Sequence, residues 1–568
     1  MTNIKKETAS MITRDGIRLD ADIYRPDTQE ELPILLMRQP YGRAIASTVV
    51  YAHPIWYAAQ GYIVVIQDVR GRGTSEDDFK LFENEIADGI DTINWVSQLP
   101  GSTGLIGMYG FSYQGMTQLY AATGKFSCLK AIAPAMIGYD LYSDWAYENG
   151  AFCLQANLGW AIQLAAETAR IKGDELAYQQ LCQASRNLPL TDSIPALPEV
   201  IKKYAPDSFY HDWLSQPQDS EYWQKLSPKY LLQDVDLPML HIGGWFDPYL
   251  RGTLNLYHGM SQKSKYPQHL IVAPWAHLPW GRKLGAIDYG IEAQNYIDEI
   301  QIRWFDYFLK GKDTGILTEA PISLFEMGSN QWHYLNEFPQ QEISYYLASD
   351  GLAATKEDSG MLWQYQEDNS DSNLVEDNIL TEEFVADFNT EDLEEFPNTQ
   401  DILIHDPWRA FPALGGHASF PGGTFERSSL DCRSDILTYT SAPLENDLRI
   451  LGNVTLEVYC QADQPSFDLC AILSEVDPDG KIFNFTQGYI KVNSLSDPIT
   501  IPLQTTCIKL NAGNCLRLSL SAACFPAYPV NSGTKKSLLE SRLIDNQVIT
   551  ISIFSGGDYP SFIKLNIL

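Results

Sequence analysis

The placement of apolar residues changes character near Gly315 of this 568-residue chain, and that change divides what it can fold into. Before it, short β-branched runs alternate with helical stretches, the pattern of an α/β domain with a mostly parallel sheet. Pro33 to Met37 (PILLM) and Tyr62 to Asp68 (YIVVIQD) read as continuous apolar strands of the kind buried on both faces. Ala87 to Leu99 puts Ile90, Ile93, Trp95 and Val96 on one helical side, and Leu105 to Gly110 (LIGMYG) is the next strand. The alternation lapses between about 140 and 230, where consecutive helical stretches predict a cap inserted into the α/β domain. PMLHIG (238–243) and HLIVA (269–273) resume it, and Tyr296 to Leu309 supplies a closing amphipathic helix. After Gly315, runs such as ISYYLAS, NVTLEVYC, LCAILSEV and VITISIF, separated by turn residues, predict an all-β sandwich or jelly roll. The expected parts are an α/β domain over 1–139 and 236–315, a helical cap over 140–235 and a β-sandwich over 316–568. Gln366 to Asp401, dense in Asp and Glu, reads as a solvated loop or strand face.

Charge and composition narrow the function. The net charge of −32 repels phosphate backbones and anionic lipid, so nucleic acid and membrane surfaces are not expected partners. No run of about 18 apolar residues exists to span a bilayer. The nine cysteines form no C-x-x-C pair of a zinc or thioredoxin-like site. Met1 to Asp20 lacks the apolar stretch of an export signal, which predicts reduced thiols and a cytoplasmic location. Disulfides of a secreted sandwich are the alternative for the six cysteines in the last third.

Chemistry enters at Gly107-Met108-Tyr109-Gly110-Phe111-Ser112-Tyr113-Gln114-Gly115, which follows an apolar strand and precedes a helical run. A nucleophile elbow needs that context, because a tight strand-to-helix turn crowds small residues around a serine held above the sheet edge. The common G-x-S-x-G spacing would put glycine at 114, where this chain has Gln114 followed by Gly115. A serine nucleophile needs a base, and hydrolases built on this elbow order their triad as serine, acid, histidine. His53 precedes Ser112, His211 lies in the expected cap, His241 sits inside a strand, His258 in a helix and His269 at a strand start. Asp247 follows the strand PMLHIG and His277 follows HLIVA, both in loops at strand carboxyl ends where open α/β sheets hold functional groups. Alone, such an aspartate reads as a turn or helix cap and such a histidine as packed scaffold; the order and topology of all three favour Ser112, Asp247 and His277 as a triad.

RQPYGR (38–43), QDVRGRGTSE (67–76), GFSYQG (110–115), GGWFDPYLRGTL (243–254), APWAH (273–277) and RWFDYFLKG (303–311) resemble the cocaine esterase, X-prolyl dipeptidyl-peptidase and acylase family of serine hydrolases. The likeness continues through FEMGSNQWH (325–333), DPWRAFPALGG (406–416), SDILTYTSAPL (434–444), FDLCAILSEVDPDG (467–480) and FPAYPVNSG (525–533), nearly the whole chain in order. The family's own elbow, G-x-S-Y-x-G, accommodates Gln114. The resemblance implies an α/β-hydrolase domain with a helical cap and a carboxy-terminal jelly roll. It also implies an oxyanion hole in which the Tyr41 hydroxyl joins the Tyr113 amide, where sequence alone reads Tyr41 as a buried aromatic. Trp145, Trp160, Tyr249 and Phe420 match places where similar enzymes line a substrate pocket with aromatics. Each has cap or interdomain packing as its alternative, and His417 is a further wall residue or a surface loop. Asp144 and Glu148 would pair with a substrate ammonium if they entered the pocket; facing solvent, they would leave a neutral ester favoured. The expected chemistry needs no metal or organic cofactor, its partner is a small-molecule ester or amide substrate, and a homodimer is compatible with this class.

Overall fold

The computed structural model describes residues 3–44, 48–364, 397–493 and 498–568. The first domain is built on a ten-stranded sheet: β1 (Ile4–Ile12), β2 (Arg18–Pro26), β3 (Leu32–Gln39), β4 (Ile63–Asp68), β5 (Ser102–Phe111), β6 (Leu129–Ala135), β7 (Met239–Phe246), β8 (Gln268–Ala276), β9 (Ile322–Glu326) and β10 (Gln331–Leu335). They lie in the order β1-β2-β4-β3-β5-β6-β7-β8-β9-β10. Strands β3 to β9 pair in parallel, while β1, β2 and β10 pair antiparallel at the two ends. The continuous apolar runs have the stated cause, since alternate side chains enter different cores. Ile34, Leu36, Ile63 and Val65 pack in one core with Ile93, Val96, Met116 and Leu119 of two helices. Leu35, Met37, Val64 and Ile66 pack in another with Trp304 and Phe305 of the closing helix, Ile297–Lys310. That helix lies close because Gly107 has no side chain: a Cβ there would come within 2.7 Å of the Phe305 ring.

Between β6 and β7 the chain leaves the sheet. It forms a π-turn at Tyr142–Ala146 and a small hairpin (Tyr147–Glu148 with Ala151–Phe152), then helices that include Leu154–Lys172, Glu175–Arg186, Glu199–Tyr204, Phe209–Ser215 and Glu221–Leu226. This is the expected helical insert, with a strand pair at its entrance that helical periodicity does not reveal.

The carboxy-terminal domain is mostly antiparallel β. Its central strand, Leu448–Ala462, pairs with Ile499–Leu510, Phe562–Ile567 and Ile549–Ser555; Phe467–Val476 pairs with Ile482–Val492 and Cys515–Ser521. ISLFEMG, expected to open this domain, instead supplies β9, which extends the first sheet through Leu270–Val272 of β8. An exposed edge on β8 would leave a row of backbone N–H and C=O groups unpaired, and β9 of the β9–β10 hairpin pairs with it. Of the acidic stretch Gln366 to Asp401, residues 366–396 lie outside the described residues, and Thr399 to Asp401 open the strand Thr399–His405, which pairs with Ile549–Ser555. All nine cysteines are free thiols.

The two domains share one core, in which Trp245, Leu250 and Leu270 meet Leu451, Leu503 and Leu510. Close to this seam, β8 carries an irregularity: Gly244 faces Ala273 and Phe246 faces Ala276, so β8 has one extra residue around Pro274 and Trp275. Gly244 makes room for the bulge, because a Cβ there would lie 2.4 Å from the Trp275 carbonyl oxygen. Gly244→Ala is expected to destabilise the fold by about 1–3 kcal/mol, as overpacking does, read as a lower thermal unfolding temperature.

Candidate active site

Ser112 stands between β5 and the helix Tyr113–Ala122 at φ 59° and ψ −126°, a conformation that side chains rarely adopt. Holding it there costs about 1–3 kcal/mol, which the surrounding packing must supply. Two glycines permit the turn. At Gly110 (φ +142°) a Cβ would sit 2.5 Å from Gln114 Cβ, and at Gly115 it would sit 2.4 Å from Ile137 Cγ2 and 2.9 Å from the Ala135 carbonyl oxygen. The side chain of position 114 thus faces Gly110 while position 115 presses on β6, which accounts for the glycine at 115. Gln118 fastens the turn to the sheet, donating to the Gly110 carbonyl at 3.0 Å and accepting from the Ala133 amide at 3.0 Å. Tyr113 opens the helix, so its amide is among those with no acceptor within the helix.

Asp247 follows β7 and His277 follows β8, as the strand reading expected. His277 Nδ1 and Asp247 Oδ1 are hydrogen-bonded at 2.8 Å, with Asp247 fully buried. The imidazole lies against the rings of Phe111, the neighbour of Ser112, at 5.4 Å and Tyr249 at 4.9 Å. The Asp247 loop is held from the other domain: Gln504 Nε2 donates to the carbonyls of Trp245 at 2.9 Å and Asp247 at 3.1 Å. Nothing in the sequence near Gln504 signals this support, because its partners lie more than 250 residues away.

Tyr41 is positioned by a chain of polar contacts. Its amide donates to Gln39 Oε1 at 2.9 Å, Gln39 Nε2 donates to Asp68 Oδ1 at 3.1 Å, and the Arg43 amide reaches the same oxygen at 2.7 Å. Trp160 Nε1 donates to the Tyr41 hydroxyl at 3.0 Å. The phenolic hydrogen is thereby directed elsewhere, available to a further acceptor. Burial pushes the Tyr41 phenol up to about 12, with Trp160 and Arg72 opposing the rise, so the hydroxyl remains a donor at neutral pH. The Tyr113 ring is clamped in turn: its hydroxyl donates to Glu85 Oε1 at 2.9 Å, and Arg38 Nη1 lies 2.5 Å from Glu85 Oε2.

Trp145 stacks on Trp160 at 5.4 Å and meets Tyr249 at 4.2 Å, forming one aromatic wall that continues to His277. Phe420 is 55% exposed, on a loop closed by the Gly416–Gly423 bridge, and its amide contacts Gln155 of the insert. Asp144 and Glu148 are both buried and both engaged. Asp144 accepts from the amides of Tyr139 and Asp140 and from Asn255. Glu148 Oε2 accepts from His417 Nε2 at 2.9 Å and the Tyr528 hydroxyl at 2.6 Å, and lies 2.8 Å from Arg251 Nη1. This cluster joins the insert, the helix after Asp247 and the β domain.

Burial by itself would raise the Glu148 carboxyl, but Arg251 and His417 beside it hold it well below its ordinary 4.5. A carboxyl depressed in the folded state contributes stability above its ordinary value and loses it as pH falls through the folded one. Glu148→Gln is therefore expected to lower the unfolding temperature at pH 7, since breaking a buried pair costs about 3–5 kcal/mol. Between pH 5 and 3 the variant should lose less than the parent protein does, as measured by circular dichroism.

Residues 15–279 match the X-Pro dipeptidyl-peptidase (S15 family), and residues 314–564 match the X-Pro dipeptidyl-peptidase C-terminal non-catalytic domain. The chain is 27% identical to a cocaine esterase of Rhodococcus sp. (strain MB1 Bresler), over 98% of this chain and 97% of that protein. An aminopeptidase from the marine sediment archaeon Thaumarchaeota archaeon shares the fold with a TM-score of 0.78 at 20% identity, over 100% of this chain and 97% of that one. An α-amino acid ester hydrolase does so with a TM-score of 0.75 at 19% identity, over the same shares. With both halves matched in order on one fold, the chain belongs to the CocE/NonD and X-Pro dipeptidyl-peptidase (S15) family of serine hydrolases, whose members are esterases and peptidases.

Proposed function

We propose that this protein hydrolyses carboxylic esters of small molecules through an acyl-enzyme on Ser112. The observation that carries the reading is the His277–Asp247 hydrogen bond of 2.8 Å on the loops of β7 and β8, beside the strained Ser112 turn of β5. In this reading His277 takes the Ser112 proton as the oxygen attacks the acyl carbonyl, while Asp247 fixes the imidazole tautomer and stabilises its positive charge. The carbonyl oxygen becomes an oxyanion between the Tyr113 amide and the Tyr41 hydroxyl. His277 returns the proton to the leaving alcohol, and water attacks the acyl-enzyme by the same route in reverse.

The aromatic wall of Trp145, Trp160 and Tyr249 favours hydrophobic or aromatic acyl groups. A peptidase reading has the family's other branch behind it, but capture of a substrate ammonium calls for an available carboxylate. Asp144 and Glu148 already serve backbone amides, Asn255, Arg251, His417 and Tyr528, which favours a neutral ester. The relative named a cocaine esterase supports the same preference.

Intact-mass analysis after fluorophosphonate treatment is expected to give one adduct, mapped to Ser112 and absent in Ser112→Ala, with kcat in that variant lower by about 10⁶-fold. Tyr41→Phe is expected to lower kcat by about 10²- to 10³-fold. No adduct on folded protein would overturn the reading in favour of a non-catalytic binding role. Faster turnover of X-Pro amides than of acyl esters would move the assignment to the peptidase branch.

A further inference from the structure

Arg72 is fully buried in the loop after β4, yet it has no acidic partner within ion-pair distance among the described residues. Its Nη2 donates to the Leu164 carbonyl at 3.2 Å, its plane lies 3.7 Å over the Phe79 ring, and Nε and Nη1 have no hydrogen-bond partner among the described residues. Every other fully buried guanidinium described here is matched: Arg38 by Glu85 and Arg427 by Asp431. Glu167, the carboxylate that acts on Arg72 through space, is itself bound by Arg170 at 2.7 Å. A buried charge without a counter-charge is expensive, and a strongly perturbed buried group of this kind marks a candidate for function.

The surroundings name the arrival point. Trp160 and Leu164 are four residues apart on one face of the helix Leu154–Lys172. The first donates to the Tyr41 hydroxyl and the second accepts from Arg72, so one helical turn ties the guanidinium to the phenol. Arg72 acts electrostatically on the Tyr41 phenol, the side-chain donor of the proposed oxyanion hole. We infer that Arg72 is a positioning residue for the oxyanion, supplying a fixed positive charge behind Tyr41 that strengthens donation from its hydroxyl as negative charge forms on the substrate oxygen. The inference rests on the reading of Tyr41 as an oxyanion donor. It involves no proton transfer from Arg72, because the burial that pulls the guanidinium down to about 10 still leaves it cationic at neutral pH.

The test is a double-mutant cycle on the full chain with p-nitrophenyl esters of neutral acids, using Arg72→Met, Arg72→Lys, Tyr41→Phe and the Arg72→Met/Tyr41→Phe pair, each confirmed folded by circular dichroism. Arg72→Met is expected to lower kcat by about 10- to 100-fold, less than loss of the donor itself, with KM within about threefold. In the Tyr41→Phe background the same change should cost less than about threefold, because the charge works through the hydroxyl. Arg72→Lys, which keeps the charge but loses the planar stacking on Phe79, should keep a higher kcat than Arg72→Met; if Arg72→Met does not fold, Arg72→Gln takes its place in the cycle. Additive losses, a Lys variant as impaired as Tyr41→Phe, or a KM effect confined to esters of dicarboxylic acids would overturn the inference and leave the triad reading intact. A Tyr41→Phe enzyme with unchanged kcat would instead remove the reading of Tyr41 on which it rests.

Discussion

The strand-to-helix reversal at Ser112 is the constraint around which the first domain is arranged. A side chain at φ 59° is tolerable only if the turn is held from several directions. Gly110 and Gly115 remove the side chains that would collide with Gln114 and β6, and Gln118 fastens the turn to β5 and β6 by hydrogen bonds. The parallel register then does the rest. Once β5 lies beside β6, and β7 and β8 follow outward, the carboxyl ends of three strands deliver Ser112, Asp247 and His277 to one edge. The extra residue in β8 re-aims its final stretch toward the acid, a use of bulges common beside functional sites.

Buried charge organises the opposite wall. Asp68, at the end of β4, receives the Gln39 side chain, the Arg43 amide and the Arg43 guanidinium, and so holds the segment that carries Tyr41. Gly73 lets the loop of Arg72 fold over the same carboxylate, since a Cβ there would overlap Asp68 Oδ2 at 1.9 Å. Two segments distant in sequence, one bearing a phenol and one a guanidinium, are thus located by one acid. Arg38, in the Tyr41 segment, also anchors the Tyr113 ring through Glu85. Disturbing either carboxylate would move the hydroxyl and the amide together, which ties the geometry of the proposed oxyanion hole to the packing of β3 and β4.

Much of this was legible in the sequence because its signals are local. Strands buried on both faces write themselves as continuous apolar runs, and the elbow is a strand, a tight turn and a helix within about fifteen residues. The candidate acid and base follow from strand ends in the right order. What escaped is non-local. The β9–β10 hairpin has the same short-strand pattern as the later domain, and only its pairing with β8 assigns it to the first sheet. Trp160 reads as a wall residue, whereas its indole also sets the direction of the Tyr41 hydrogen. Asp144 and Glu148 look like candidate substrate ligands until their internal partners are seen. Arg72 sits inside a motif that spacing marks as similar to other hydrolases, but no spacing reveals that its charge is buried and unmatched.

The β domain is described by its family as non-catalytic, yet in this chain it is part of what shapes the site. Gln504 holds the two carbonyls that flank the turn into Asp247, and His417 and Tyr528 close the cluster around Glu148 and Arg251. Arg251 lies one turn beyond Asp247 at the start of the helix Leu250–Ser261, so the cluster fixes that helix from the insert and the β domain at once. Two consequences follow from this one seam. The acid is positioned by residues from outside its own sheet, and the carboxylates that could have recognised a substrate ammonium are used to hold the parts together. On the proposed reading, selectivity is then left to the aromatic wall of Trp145, Trp160 and Tyr249, whose shape depends on how the insert is seated. A change at the seam then acts on catalysis and specificity together, and so does a change at Trp160, whose indole also directs the Tyr41 hydroxyl, whereas a change at Trp145 acts on specificity.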